Sequence, residues 1–164
     1  MSNNNSNLFQ PTNFICGSAD LDLVHKFCTS VNLPGINLNH LFLTNGAGSP
    51  LNLTSDNIMF NSVQLSLLID EDFETYFEFI EKIQNNINSV NGSFAESTFD
   101  FFINITNSKG NDIFKVELIN ARLQSIGDVV LDSTSEETEY VLPVELIFDH
   151  IEYTRKNKKL ILRK

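Results

Sequence analysis

The chain has 164 residues and a mass of 18.6 kDa, which fits one domain able to bury a sizeable core. Its 11 Lys and Arg against 21 Asp and Glu give a formal charge of −10 and a pI of about 4.6. A chain so acidic is ill suited to wrapping nucleic acid, where Lys and Arg must neutralise phosphate, and at 41% hydrophobic and 20% charged it is too apolar to be disordered. The charge is unevenly placed. Arg155, Lys156, Lys158, Lys159, Arg163 and Lys164 fall within residues 155–164 with no acid among them, so residues 1–154 carry five positive charges against 21 negative ones, a net of −16.

Two cysteines, Cys16 and Cys28, suit neither a disulfide scaffold nor a zinc cluster and read as buried free thiols. Residues Met1 to Asn7 lack the basic region and apolar run of a signal peptide. No stretch approaches the ~18 apolar residues of a membrane span. The expectation is a soluble protein made in a reducing cytoplasm, with no membrane partner.

Residues 1–12 are polar and without periodicity, which predicts a flexible arm. Leu21 to Val31 alternates with a period of two, as a half-buried strand would, and Asn32-Leu33-Pro34-Gly35 reads as a turn. Ile36 to Leu43 resumes extended structure. Thr44 to Asp56, with Gly46, Gly48 and Pro50, predicts a long loop and a candidate interaction element. Met59 to Ile69 reads as a strand with Val63, Leu65, Leu67 and Ile69 on one face.

That strand runs into the clearest helix of the chain. Asp70 is a suitable N-cap, and Glu71, Asp72 and Glu74 place negative charge where the helix dipole favours it. Phe73, Tyr76, Phe77, Ile80, Ile83 and Ile87 form one apolar stripe, expected to pack as core. Ser97 to Thr106 alternates with Phe99, Phe101, Ile103 and Ile105 inward, residues 107–112 make a hairpin turn, and Ile113 to Arg122 returns antiparallel. A short strand is expected at Val129–Leu131 and a polar loop at Asp132 to Glu139. The last strand, Glu139 to Thr154, faces Tyr140, Leu142, Val144, Leu146 and Phe148 inward, and Pro143 within it implies an edge or a bulge. The sum is a mainly β (α+β) fold: an antiparallel β-sandwich or barrel of about seven strands with one main helix.

Signatures of chemistry are missing. No phosphate loop, dinucleotide fingerprint or nucleophile elbow occurs. His25, His40 and His150 are each isolated, Asp70-Glu71-Asp72 is more simply a helix start than a metal site, and Asp132 to Glu139 lacks the spacing of a calcium loop. No enzyme activity, cofactor or metal is expected.

Three segments resemble one family. Ser30-Val31-Asn32-Leu33-Pro34-Gly35 resembles a segment following the first strands of contractile-tail bacteriophage tube proteins. The run from Phe60-Asn61-Ser62-Val63 through Leu68-Ile69-Asp70-Glu71-Asp72-Phe73 is similar to their strand-into-helix segment, although many relatives have Asp-Pro where Asn61-Ser62 stands here. Asn120-Ala121-Arg122 and the stretch Glu145 to Tyr153 look like their closing strands. The Ile-Asp-Glu-Asp form is most similar to the tail completion and sheath stabiliser proteins of T4-like myoviruses.

The resemblance spans about residues 13–153. It implies a structural virion protein whose subunits form a hexameric ring that terminates the tail tube and stabilises the sheath at the neck. The major tube protein and the baseplate tube initiator are the alternatives it leaves, and a monomeric β-sandwich adaptor is a more remote one. Implied partners are copies of the chain itself, tube and sheath proteins and neck or connector proteins. DNA would pass through the lumen without specific binding, and the protein would reside in the virion tail after synthesis in the host cytoplasm. The expected organisation is an arm at 1–12, a tail-tube-like domain at 13–154 and a basic tail at 155–164. Residues expected at subunit interfaces are Leu33, Pro34 and Gly35 in the turn, Gly46, Gly48, Pro50 and Leu51 in the long loop, Pro143 on its strand, and Arg155, Lys156, Lys158 and Lys159 in the tail.

Overall fold

A computed structural model describes residues 11–21, 23–44, 50–88, 98–132, 134 and 139–163, with the backbone alone described at 39–44, 50–56, 86 and 88. The expected flexible arm lies almost wholly outside the described residues.

The strands are β1 (Phe14–Ser18), β2 (Cys28–Val31), β3 (Ile36–Thr44), β4 (Pro50–Phe60), β5 (Val63–Leu68), β6 (Phe99–Thr106), β7 (Asp112–Ile126), β8 (Val141–Ile147), β9 (His150–Arg155) and β10 (Lys158–Arg163). The helices are α1 (Val24–Phe27) and α2 (Glu74–Asn88). All pairings are antiparallel. One continuous sheet runs β1-β6-β7-β8-β5-β2, with β9 and β10 branching from β7, and β3 and β4 form a second, two-stranded sheet.

The branching comes from the length of β7. Lys115 to Ile119 pair with β9 while the same stretch pairs with β6 on its other edge, and Arg122 to Ile126 pair with β8. The strand thus turns from one layer of the sandwich into the other at Asn120, whose backbone takes φ 53. Left-handed backbone suits Asn better than most residues. The Asn120 amide donates to the Asp100 carboxylate at 3.2 Å, its side-chain amide donates to Asp149 at 3.3 Å, and Arg122 forms an ion pair with Asp149.

Between the layers lies one core. Val63, Leu65 and Leu67 of β5 and Leu142, Val144 and Leu146 of β8 meet Cys16 of β1, Phe101 and Ile103 of β6, Val116 and Leu118 of β7 and Ile151 of β9. The period-two alternation of these strands puts every second residue inward, as the sequence predicts. Asn107 builds the expected β6–β7 turn: its side chain accepts from the Lys109 and Asn111 amides, and Gly110 supplies φ 77.

Several expectations are corrected. Leu21 to Val31 is not one strand. Leu21 and Val24 are both fully buried, a spacing of three that seats the single turn α1 before β2 begins. The expected loop Thr44 to Asp56 is instead mostly β4, paired with β3 from Ile36↔Phe60 to Thr44↔Pro50. The strand expected over Met59 to Ile69 is broken at Asn61-Ser62. Val129–Leu131 forms no strand; Val130 and Leu131 are exposed, and the Tyr140 hydroxyl holds this segment by accepting from the Val130 amide and donating to the Asp128 carbonyl. The last strand is cut at Phe148-Asp149, because Phe148 is buried and Asp149 turns to Arg122. The stretch read as a basic tail is the strand β10, joined to β9 through Lys156 at φ 52.

Pro143 is corrected too. Its strand β8 lies inside the sheet, between β5 and β7. The missing N–H is tolerated because the β7 ladder has just ended there: Gly127 donates to the Pro143 carbonyl at 2.8 Å, and a Cβ on Gly127 would collide with the proline ring.

The largest correction concerns α2. Its buried residues are Thr75 and Phe79. At about 100° per residue Phe77 lies about 160° from Phe79, while Ile80 and Ile87 flank it at about 100° and about 80°; all three are exposed together with Phe73, and Tyr76 packs partly buried on the core. Periodicity identified a broad apolar arc on this helix, but the sheet takes the Phe79 side of it. The helix start follows expectation more closely: the Asp70 carboxylate accepts from the Glu74 and Thr75 amides, both at 2.9 Å, across a turn in which Phe73 takes φ 57.

Phe101 is fully buried between the layers, so Phe101→Ala is expected to cost about 3–5 kcal/mol in denaturant unfolding, and a loss under about 1 kcal/mol would contradict this core. Burial tends to raise the Asp70 carboxyl, but the Thr75 and Glu74 amides outweigh it and hold the group below its ordinary range. A depressed carboxyl stabilises the fold above its unfolded-state value and stops doing so as pH falls through its folded one. Asp70→Ala is therefore expected to cost about 1 kcal/mol near neutrality, with the gap to the unsubstituted chain closing on acidification. A gap that widens below pH about 3.9, the ordinary Asp value, would contradict the assignment.

Candidate functional site

Among the described residues no group of three or more His, Cys, Asp and Glu side chains could hold a metal ion. No described helix is long and apolar enough to cross a membrane. His25 is exposed on α1, and His150 begins β9 opposite Ile119. Cys16 is buried and Cys28 half-buried, both as free thiols. A hydrogen bond between them, with burial, pushes the Cys16 thiol far up, and the same bond pulls Cys28 down. The chain's notable features are surfaces, and three stand out.

The first is the β3–β4 hairpin. Nine residues of β3 reach about 30 Å at 3.3 Å each, and among the described residues the hairpin forms no ladder with the main sheet. Its foot is fixed on both strands. Phe60 packs on the buried Phe148 with ring centroids 5.2 Å apart. The Asn61 amide donates to the Gly35 carbonyl at 3.0 Å, and the Asn61 side-chain oxygen accepts from the Asn37 amide group at 3.0 Å. A Cβ on Gly35 would press on the Asn61 side chain. Ser62 donates to the Glu145 carboxylate of β8, which also accepts from Ser125 at 3.2 Å. The pair Asn61-Ser62 is thus the joint between arm and body. Ile36, Leu38 and Met59 near the foot are exposed.

The second surface is the β9–β10 hairpin. Arg155, Lys156 and Lys158 crowd its turn, all exposed, and Leu160 and Ile161 are exposed along β10. Lys159 pairs with Glu152 at 2.6 Å, and that carboxylate raises the Lys159 ammonium above its ordinary value. Among the described residues β10 pairs with β9 alone, which leaves its outer edge open. The third surface is the outward stripe of α2.

The expected interface residues fall into separate places. Leu33 is exposed, Pro34 buried and Gly35 locked at the arm's foot. Pro50 and Leu51 open β4, opposite Thr44 and Leu43, on the same arm. Gly46 and Gly48 lie outside the described residues. Pro143 is exposed on β8, and Arg155, Lys156, Lys158 and Lys159 surround the β9–β10 turn. Sequence reasoning missed the Asn120–Arg122–Asp149 corner, although it marked all three residues within the family-like segments. Periodicity picks out the α2 stripe and expects it in the core; Tyr76 packs there, while Phe73, Phe77, Ile80 and Ile87 are exposed.

No family model and no curated protein sequence matches the chain. Solved structures do. The tube-terminating cap of the anti-feeding prophage superposes with a TM-score of 0.71 at 20% identity, covering 92% of this chain and 93% of that one. The sheath/tube terminator of an extracellular contractile injection system, PVC, gives 0.69 at 18% identity, over 91% and 98%. A chain of the anti-feeding prophage baseplate gives 0.70 at 13% identity, over 93% and 99%. The chain therefore has the tail-tube fold, in the form also seen in tube-terminating proteins of contractile injection systems.

Because the arm is built on its own pairing, replacing residues 41–53 by a tight turn is expected to leave the body folded, with a melting temperature within about 5 °C of the full chain. A fall of more than about 15 °C would show that the arm belongs to the core.

Proposed function

We propose that this chain is a structural ring subunit of a contractile tail or tail-like injection particle, and that its ring ends the tube and holds the last layer of sheath. The observation that carries this reading is the agreement in fold, over nine-tenths of both chains, with a tube-terminating cap and a sheath/tube terminator. The surfaces support it. A hairpin arm of about 30 Å can reach an adjacent ring, and edge strands left open, as β10 is, favour pairing between copies. Contacts between two different patches repeat head to tail and close into rings.

The ring is hexameric in this reading and works by assembly and passive conduction, with no bond chemistry. Residues 1–154, at a net of −16, disfavour retention of phosphate, so DNA or another cargo would slide through the lumen. The sequence resemblance favours a bacteriophage virion and the likeness to solved structures an injection particle; the same ring would serve in either. A second reading, as the tube protein or a baseplate ring, is favoured by the comparable agreement with the baseplate chain and with a sheath–tube complex, which has a TM-score of 0.70.

Electron microscopy of the purified chain, alone and with polymerised tube, separates these readings. Isolated six-membered rings that cap tube ends are expected. Long filaments of the chain alone would favour the tube protein, and a chain that stays monomeric beside tubes without binding them would overturn both. The variant lacking residues 41–53 is expected to form no cap.

A further inference from the structure

The outward face of α2 is apolar where a solvated helix would be polar. Phe77 is 63% exposed and Ile87 75%, and Phe73 and Ile80 are exposed with them along one stripe. Such a face is costly to leave in water and marks a contact surface. One flank of the stripe is acidic: Glu74, Glu78 and Glu81 recur at the i, i+4, i+7 spacing, and Asp72 precedes them. With Leu23 these residues surround Phe73 and Phe77 in an open pocket of about 380 Å³ that has no basic lining residue. The segment that fits there is apolar in its middle and basic at its ends.

The chain itself carries such a segment. β10 reads Lys158-Lys159-Leu160-Ile161-Leu162-Arg163, with Leu160 52% and Ile161 45% exposed. Lys159 is already held by Glu152, which leaves Lys158 and Arg163 at the two ends of the strand, with Arg155 and Lys156 beside the turn. All six residues of β10 are paired with β9, and the apolar residues of β10 and α2 are both exposed within one chain. The contact is therefore not made within a single copy.

We propose that the acidic, apolar face of α2 docks the basic β9–β10 hairpin of a second copy of the chain. The inference rests on the ring reading and names one of its contacts. Two different patches meet, so the contact is head to tail and propagates around a ring. Lys158 and Leu160 share one face of β10 and Ile161 and Arg163 the other, so α2 would dock along the open edge of the strand, with Phe73, Phe77 and Ile80 against Leu160 and Ile161 where they flank that edge, and Asp72 and Glu81 towards Lys158 and Arg163. It also gives the split charge a role, since the +6 of residues 155–164 on one copy would meet the acidic body of the next.

The test uses the full chain. An equal mixture of ¹⁴N- and ¹⁵N-labelled protein is treated with a carbodiimide, which joins a lysine to a carboxylate without a spacer. Mixed-isotope peptides linking Lys158 to residues 72–81 are expected. In parallel, Asp72→Lys with Glu81→Lys, and separately Lys158→Glu with Arg163→Glu, are expected to weaken self-association about tenfold or more at low salt, and the four changes combined to restore it to within about threefold. All four positions are exposed, and recovery in the combined variant guards against misfolding as the cause. Rings that form without these cross-links, or a combined variant that does not recover, would overturn the docking and leave the ring reading standing. If neither rings nor cross-links appear, even with polymerised tube present, both fall. If reversing α2 spares the rings but abolishes binding to tube or sheath, the face belongs to a foreign partner and the second-copy assignment is wrong.

Discussion

The fold depends on one strand that serves two layers. β7 pairs with β6 and β9 in its first half and with β8 in its second, so both faces of the core hang from it. A strand can do this only if it turns sharply in the middle, and the turn exposes polar backbone that must be satisfied. Asn120 takes the left-handed backbone, Asp100 receives its amide, and Asp149 is shared by Asn120 and Arg122. Asp149 is also where the chain leaves β8 for β9. One carboxylate thus fixes the corner of β7 and the change of layer of the next two strands.

Around that corner the structure separates what is closed from what is open. The core is closed: Leu118, Phe101, Leu146 and Ile151 are fully buried. The β3–β4 arm, the edge of β10 and the outer stripe of α2 are open, and each would be a liability on a solitary protein. A solitary domain would be expected to blunt them. This chain instead fixes the foot of its arm with Phe60 and Asn61 and presents a continuous apolar stripe on its longest helix. That design fits a subunit whose stability in use comes partly from its neighbours.

The core was the most legible part of the sequence. Val63, Leu65 and Leu67, Phe101 and Ile103, and Leu142, Val144 and Leu146 alternate cleanly, and burial on one face of a strand enforces a period of two. Boundaries were less legible, because breaks at Asn61-Ser62 and at Phe148-Asp149 are made by partners distant in sequence, Glu145 for Ser62 and Arg122 for Asp149. Residues 44–56 read as a loop because Gly46, Gly48 and Pro50 are turn signals, while the pairing that makes β4 a strand is with β3, out to Ile36↔Phe60, and does not show in local composition. The basic residues at 155–164 hid a strand for a related reason: lysines on an edge strand look like a solvated tail. The α2 stripe failed differently. Its period holds and Tyr76 packs on the core, but Phe73, Phe77, Ile80 and Ile87 stay exposed, since a wide apolar arc does not say which side the sheet will cover.

On the ring proposal, the arm, the α2 stripe and the β10 edge are contact surfaces completed only in an assembly, while the core is complete in the single chain. Hydrogen–deuterium exchange on the free chain and on the chain assembled at tube ends tests this directly. Assembly is expected to slow exchange in β3, β4, α2 and β10 and to leave the amides of β5 and the first half of β7 unchanged. Protection gained in β5 and β7 with none in the arm, the helix or β10 would contradict it.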